Sequence, residues 1–243
     1  MLRISHLQLL GSEQAEPEDE KEPRFSFPLL ALLFVLLMLL LMNVGCAPVG
    51  GPPKDSTVKS GTVLFADDFS KTPDGWGNWS RDGSKVDYAE GGLRILVDEN
   101  QFDFWSVSGH KFGDVQIEVD ALKRSGPDDN DYGIICRYLN KDNFYMLVVS
   151  SDGYYGIARM KSGQYSMIGS DKLQYSQAIS QGNVTNHLRA DCVGSKLSLY
   201  ANGQKLMEAS DTNFVSGDAG VLAGSYNGKG VEVIFDNFVV KKP

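Results

Sequence analysis

The chain has 243 residues, and its 23 basic against 31 acidic side chains give a formal net charge of −8. No basic run is present, which excludes a surface that tracks nucleic-acid phosphates, because such contacts need clustered Lys and Arg. The length suffices for one domain with a sizeable core, and the phosphate-loop, dinucleotide and Gly-x-Ser-x-Gly fingerprints are missing.

Residues 1–28 form a polar segment in which Glu13, Glu16, Glu18, Asp19, Glu20 and Glu22 outnumber Arg3, Lys21 and Arg24. Leu29 to Met42 are then unbroken apolar, and Asn43-Val44-Gly45-Cys46 follows at once. A hydrophobic run that stops at a small residue and a cysteine is the pattern read in bacterial lipoprotein processing, with cleavage before Cys46 and a diacylglycerol on its thiol. Asn43 departs from the aliphatic residue usual three places before such a cysteine. The alternative is an uncleaved signal anchor, a hydrophobic helix over 29–45, since about 20 apolar residues cross a bilayer and Lys21 and Arg24 favour an N-terminus kept inside. Both readings anchor the protein to a membrane, put its bulk outside the cytoplasm at the cell surface or in the periplasm, and set residues 1–45 apart from the fold. Residues 46–61, with Pro48, Pro52, Pro53 and Gly50, Gly51, Gly61, read as a tether.

From 62 onward strand signals follow one another. Val115, Ile117, Val119 and Ala121 alternate with Gln116, Glu118 and Asp120, the period of a strand with one buried face. Leu188, Ala190 and Cys192 alternate with Arg189 and Asp191 in the same way. Leu197-Ser198-Leu199-Tyr200 meets Asn202-Gly203, a strong hairpin signal. The pattern predicts strands near 62–66, 86–90, 93–98, 103–109, 113–123, 132–139, 143–150, 154–160, 164–169, 186–193, 196–201, 204–209, 219–225 and 231–240, and a short helical turn over Leu173–Ile179. Turn signals every 8–12 residues argue for an all-β fold, an antiparallel two-sheet sandwich over 62–241. Cys136 and Cys192 are an even pair in an oxidising compartment, either a disulfide or two buried thiols.

Four stretches resemble the second half of concanavalin A-like jelly rolls: Asn186-His187-Leu188-Arg189-Ala190, Leu199-Tyr200-Ala201-Asn202-Gly203, Gly217-Asp218-Ala219-Gly220-Val221 and Phe235-Asp236-Asn237-Phe238-Val239-Val240. Phe65-Ala66-Asp67-Asp68-Phe69 and Gly75-Trp76 resemble the opening strand of that superfamily and the loop after it. Laminin-G-like and 3-keto-disaccharide hydrolase-type domains share the layout. The resemblance implies a jelly roll whose last strand lies beside its first, and a carbohydrate or cell-surface polymer as partner. It does not imply an activity, because this fold hosts lectins, glycosidases and spacers alike.

Glu118 and Asp120 are the candidate catalytic pair, since residues at i and i+2 of a strand share a face and the spacing is similar to the Glu-x-Asp-x-x-Glu of laminarinase-type glycosidases. The third acid of that pattern is missing, with Leu122 and Lys123 in its place. Asp68 and Asp236 are the candidate ligands of a structural Ca2+, an ion several relatives seat near such aspartates; no other cofactor is implied. Asp128-Asp129-Asn130-Asp131 misses the spacing of a calcium loop and reads as an acidic turn. Sugars stack on aromatic rings while polar side chains take their hydroxyls; Trp105, Arg137, Tyr145, Tyr155 and Arg159 fall in the middle strands and are the candidate carbohydrate-binding residues. Arg137 is expected to point away from the core if Ile134, Cys136 and Tyr138 point into it. The expected function is non-catalytic binding; the alternatives are a glycoside-processing hydrolase of the 3-keto-disaccharide type and an envelope protein-interaction module.

Overall fold

The structure, a computed structural model, describes residues 8–9, 59–71 and 75–243. The apolar run 29–42, Cys46 and most of the 46–61 tether lie outside the described residues. The strands in chain order are β1 (Gln8–Leu9), β2 (Val63–Asp67), β3 (Trp79–Arg81), β4 (Ser84–Ala89), β5 (Gly92–Val97), β6 (Phe102–Phe112), β7 (Val115–Ser125), β8 (Asn130–Asn140), β9 (Asn143–Val149), β10 (Tyr154–Lys161), β11 (Gln164–Met167), β12 (Gln174–Tyr175), β13 (Thr185–Val193), β14 (Lys196–Ala201), β15 (Gln204–Ser210), β16 (Gly217–Ser225) and β17 (Val231–Lys241). No helix occurs among the described residues.

The strands form two sheets. Sheet A runs β1-β6-β16-β8-β9-β10-β11, with β12 on β10; sheet B runs β15-β14-β13-β7-β17-β5-β4-β3, with β2 on β17. All pairings from Val63 onward are antiparallel, and the last strand, β17, pairs with β2 through Phe238 and Asp67. The expected sandwich is therefore present. At the Asn202-Gly203 hairpin both residues have positive φ, 51° and 82°, as a type I′ turn requires.

One expectation fails. Leu173–Ile179 is no helical turn: Gln174 and Tyr175 pair with Tyr155 and Tyr154. Backbone groups lying along a strand edge gain more by joining its ladder than by closing one isolated turn. Gln8 and Leu9 run parallel to Phe102 and Asp103 at the edge of sheet A. An edge strand has unpaired N–H and C=O groups that accept such an addition.

Side-chain alternation shows where the core sits. Phe104, Ile134, Leu147, Ile157 and Val221 point between the sheets, into the main core shared with Val119, Leu188 and Phe235 of sheet B. Their neighbours Trp105, Ile135, Met146, Ala158 and Leu222 point the opposite way and form a second buried apolar cluster on the outer face of sheet A. Sheet A thus buries both faces, and its strands are near-continuous apolar runs, such as Phe144 to Val149. Sheet B has one wet face, so Val115–Ser125 alternates buried with half-buried positions.

Trp76, after β2, plugs one end of the main core. Its Nε1 donates to Asp67 Oδ2 at 3.0 Å, and its ring meets Phe69 and Phe238 edge-on at 5.0 Å each. Cys136 of β8 and Cys192 of β13 form a disulfide across the main core, tying sheet A to sheet B.

Candidate functional site

The side chains singled out in the sequence do not converge. Of the five candidate carbohydrate-binding residues, only Trp105 lies on the outer face of sheet A, where it is buried against Phe144 at 5.4 Å between ring centroids. Tyr145, Tyr155 and Arg159 lie on the inner face, and their polar ends are engaged. Tyr145 Oη donates to Asp211 Oδ1 at 2.5 Å, Arg159 pairs with the same carboxylate, and Tyr155 Oη donates to Gln174 Oε1 at 3.0 Å.

Arg137 also turns inward. A β-bulge between Cys136 and Asn140 breaks the alternation, Arg137 adopts φ 54°, and Tyr138 rather than Arg137 packs on the outer face, 5.5 Å from Phe144. The Arg137 guanidinium donates to Phe214 O at 2.8 Å and to Asp114 Oδ1 at 3.2 Å. With Tyr145, Asp211 and Arg159 it pins the loop between β15 and β16. A bulge inserts a residue that simple alternation cannot anticipate.

Glu118 and Asp120 lie on the wet face of sheet B, each held by partners. Lys241 Nζ donates to Glu118 Oε2 at 2.6 Å. Burial pushes the Glu118 carboxyl up, but the Lys241 ammonium and the Gln116 amide outweigh it and hold the group below its ordinary range. Asp120 meets His187 Nδ1 at 2.7 Å and accepts from Asn237 Nδ2 at 2.9 Å. A general acid needs a raised pKa, and Glu118 has the reverse. Glu118→Gln and Asp120→Asn are therefore expected to leave ligand retention unchanged and to shift urea-unfolding stability by no more than about 1 kcal/mol, as exposed ion pairs do.

Asp120 and Asp236 share a depression of about 240 Å³ with Glu90 and Thr185 on its walls. Asp236 accepts from its neighbour Asn237 N at 2.6 Å. Asp68 caps the turn after β2, accepting from Ser70 N at 3.0 Å. Among the described residues no group of three His, Cys, Asp or Glu side chains is placed to hold a metal ion.

The arrangement that stands out involves two aspartates that the sequence reading did not pair. Asp103 of β6, Gly224 of β16 and Asp131 of β8 form one row across three adjacent strands. Asp103 lies two residues before Trp105 and Asp131 four before Ile135, so both face outward. A Cβ on Gly224 would collide with Oδ1 of both carboxylates, so only glycine fits between them.

Both carboxyls are buried. Apart from the facing carboxyl, no group bonds to either Asp103 oxygen or to Asp131 Oδ1; Asp131 Oδ2 accepts from Tyr226 Oη at 3.2 Å. Burial raises the Asp103 pKa well above the ordinary carboxyl range, and the neighbouring Asp131 raises it further. Burial also raises Asp131, against the Tyr226 hydroxyl that favours its charge. Buried polar atoms in folded proteins are nearly always hydrogen-bonded, and here the two carboxyls bond to each other, with the proton favoured on Asp103. The sequence signals were weak: Asp131 reads as one member of an acidic turn, and Asp103 as the polar start of a strand.

No family model matches the chain, and no curated protein matches it. Solved structures with the same architecture include a carbohydrate-binding module, CBM66, from Bacillus subtilis, at 17% identity and TM-score 0.56 over 69% of this chain and 96% of that one. A protein of unknown function with a galectin-like fold from Bacillus subtilis aligns at 11% identity and TM-score 0.54, covering 76% of this chain and 97% of its own. A β-glucanase from Bacillus licheniformis aligns at 13% and 0.52, covering 77% and 99%. The chain thus shares the jelly-roll sandwich fold of these structures.

Proposed function

We propose that this jelly roll is held outside the cytoplasm by a membrane anchor and binds a carbohydrate or another cell-surface polymer without altering it. The contact is the Asp103–Asp131 end of the outer face of sheet A. The observation that carries the reading is a pair of carboxyls on this face that only Tyr226 and each other engage, polar groups of the kind that take sugar hydroxyls. A fold shared with a carbohydrate-binding module supports it. The anchor reading rests on the run Leu29–Met42 and on Cys46. Among the described residues, cleavage before Cys46 removes only β1, a two-residue addition to an edge.

Binding is favoured over hydrolysis by the spacing of the acids. Retaining glycosidases keep their carboxyl groups about 5–5.5 Å apart and inverting ones about 6.5–9.5 Å. Asp103 and Asp131 converge over a single glycine and act directly on one another, which leaves no room for a glycosidic bond between them.

The test is the full chain in detergent on an array of plant, algal and bacterial glycans, with and without EDTA, and with product release measured on every glycan retained. Retention without product release, lost by at least about tenfold in Asp131→Asn, is the expected result, since a lost charged hydrogen bond costs about 1.5–3 kcal/mol. Blank arrays refute the binding reading, and turnover that Asp131→Asn abolishes replaces it with the hydrolase. EDTA-sensitive retention assigns the Ca2+ site. Palmitate labelling together with intact mass distinguishes a lipidated Cys46 N-terminus from an uncleaved anchor.

A further inference from the structure

We infer that the end of the sandwich where the chain enters β2 docks on an anionic lipid surface, its apolar tips Val215 and Leu139 entering the interface and its lysines meeting the headgroups. The inference rests on the membrane-anchor reading above and adds an orientation to it.

Strand direction sorts the connections into two ends. The start of β2, the β6–β7, β8–β9 and β10–β11 turns and the β15–β16 loop share one end. Val63 pairs with Lys241 and Lys241 with Gln116, while Gly217 lies opposite Phe112 and Asn143 opposite both Asn140 and Lys161. Lys59, Lys111, Lys141 and Lys161 are exposed there. The lysine ion pairs of the described residues involve Lys85, Lys123, Lys196, Lys205 and Lys241 instead. Of the three carboxylates in these connections, Asp114 is answered by Arg137 and Asp211 by Arg159, which leaves Asp142.

The opposite end carries the reverse charge. Asp98 and Glu99 between β5 and β6, Asp128 and Asp129 between β7 and β8, and Asp152 between β9 and β10 face Lys229 and a buried Lys123. Charge divided in this way turns the basic end towards a negative surface and the acidic end away from it. Docked so, the Asp103–Asp131 end points outward, where a polymer reaches it.

Apolar side chains complete the fit. Val215, 73% exposed, is the most exposed large hydrophobic among the described residues, and Leu139 and Val63 at the same end are 53% and 54% exposed. The Val215 loop is firmly held. Phe214 is buried, its O accepts from Arg137 at 2.8 Å and its N donates to Tyr145 Oη at 3.0 Å. Asn213 N and Nδ2 donate to Asp211 Oδ1 at 2.8 and 2.7 Å. A valine fixed in water forgoes its burial, and a tip already rigid loses little entropy on entering an interface.

Each lysine brought to an anionic surface strengthens the contact by roughly fivefold. Residues 46–61 span at most about 55 Å when extended. The basic end therefore meets the bilayer at high effective concentration, and a weak surface suffices.

The test is amide hydrogen exchange on the full chain reconstituted in vesicles of phosphatidylcholine alone and of an equal mixture with phosphatidylglycerol. Residues 139–142 and 212–216 are expected to exchange at least about fivefold more slowly in the anionic vesicles, with 126–129 at the acidic end unchanged. The double variant Lys111→Glu with Lys141→Glu is expected to lose the difference, and Lys229→Glu to keep it. Flotation of each sample reads the anchor separately. Equal exchange in the two lipids, or slowing that survives the double charge reversal, overturns the docking while a chain that floats with both vesicles keeps its anchor. Slowing that grows with protein concentration in both lipids overturns it in favour of a second copy of the chain. A chain that floats with neither vesicle takes both readings down together.

Discussion

Asp103→Asn is expected to make the protein more stable, raising its melting temperature at pH 7 by roughly 5–10 °C. A buried carboxyl whose only partner is a second carboxyl is a cost of folding, and an amide of the same shape removes one ionisable group and donates an N–H to Asp131. The sign follows from linkage. Carboxyls whose pKa is raised in the folded state bind protons more tightly there than in the unfolded chain. The penalty is therefore absent below the ordinary value of 3.8 and grows as the pH rises towards the raised values. A poorly satisfied buried polar group costs about 1–3 kcal/mol, more when charged, and for a domain of this size each kcal/mol moves the midpoint by about 2–4 °C. Melting curves of wild type and variant from pH 4 to pH 8 provide the check. They are expected to converge at the acid end and diverge towards neutrality, with the variant higher. A variant that melts lower at every pH shows that the pair stabilises the fold and is no binding site held at a cost. Stability gained together with binding lost is the usual signature of a functional site.

Loss of the disulfide is expected to have the largest effect on stability. Cys136 and Cys192 are separated by 56 residues of sequence and join the two sheets through the core. Closing a loop of that length removes enough unfolded-state entropy to stabilise the fold by about 4 kcal/mol. The double variant Cys136→Ala with Cys192→Ala is expected to unfold in urea at a much lower midpoint with a steeper dependence on denaturant, because the unfolded chain loses its crosslink and expands. A loss under about 1 kcal/mol means that core packing between β8 and β13 already fixes the two sheets. The bond also lies beside the bulge that turns Arg137 inward, so reduction is expected to loosen the loop that Arg137 holds through Phe214 O.

Sequence and structure agree where the physics is local. Alternation along Val115–Ser125 and Thr185–Val193, the unbroken apolar run Phe144–Val149 and the Asn202-Gly203 turn each report on one strand and its immediate neighbours. Backbone geometry alone turns such patterns into pleats and hairpins. The continuous run in β9 even carries the sign of a sheet buried on both faces. The candidate site was far less legible. Arg137 was placed on the wrong face because one bulged residue inverts every side chain beyond it. Glu118 and Asp120 are near neighbours in sequence, but the side chains that bond them come from β13 and β17. Asp103 and Asp131 stand 28 positions apart in the chain with Gly224 far downstream, and nothing around any of them marks the other two.

The amino-acid sequence by itself determined an all-strand chain with turns in fixed places, an apolar run followed by Cys46, and a second half resembling a known jelly roll. Only the tertiary structure decided which carboxylates meet. Strand order in a sandwich is not chain order: β16 inserts between β6 and β8, and its glycine opens the space into which two facing aspartates lean.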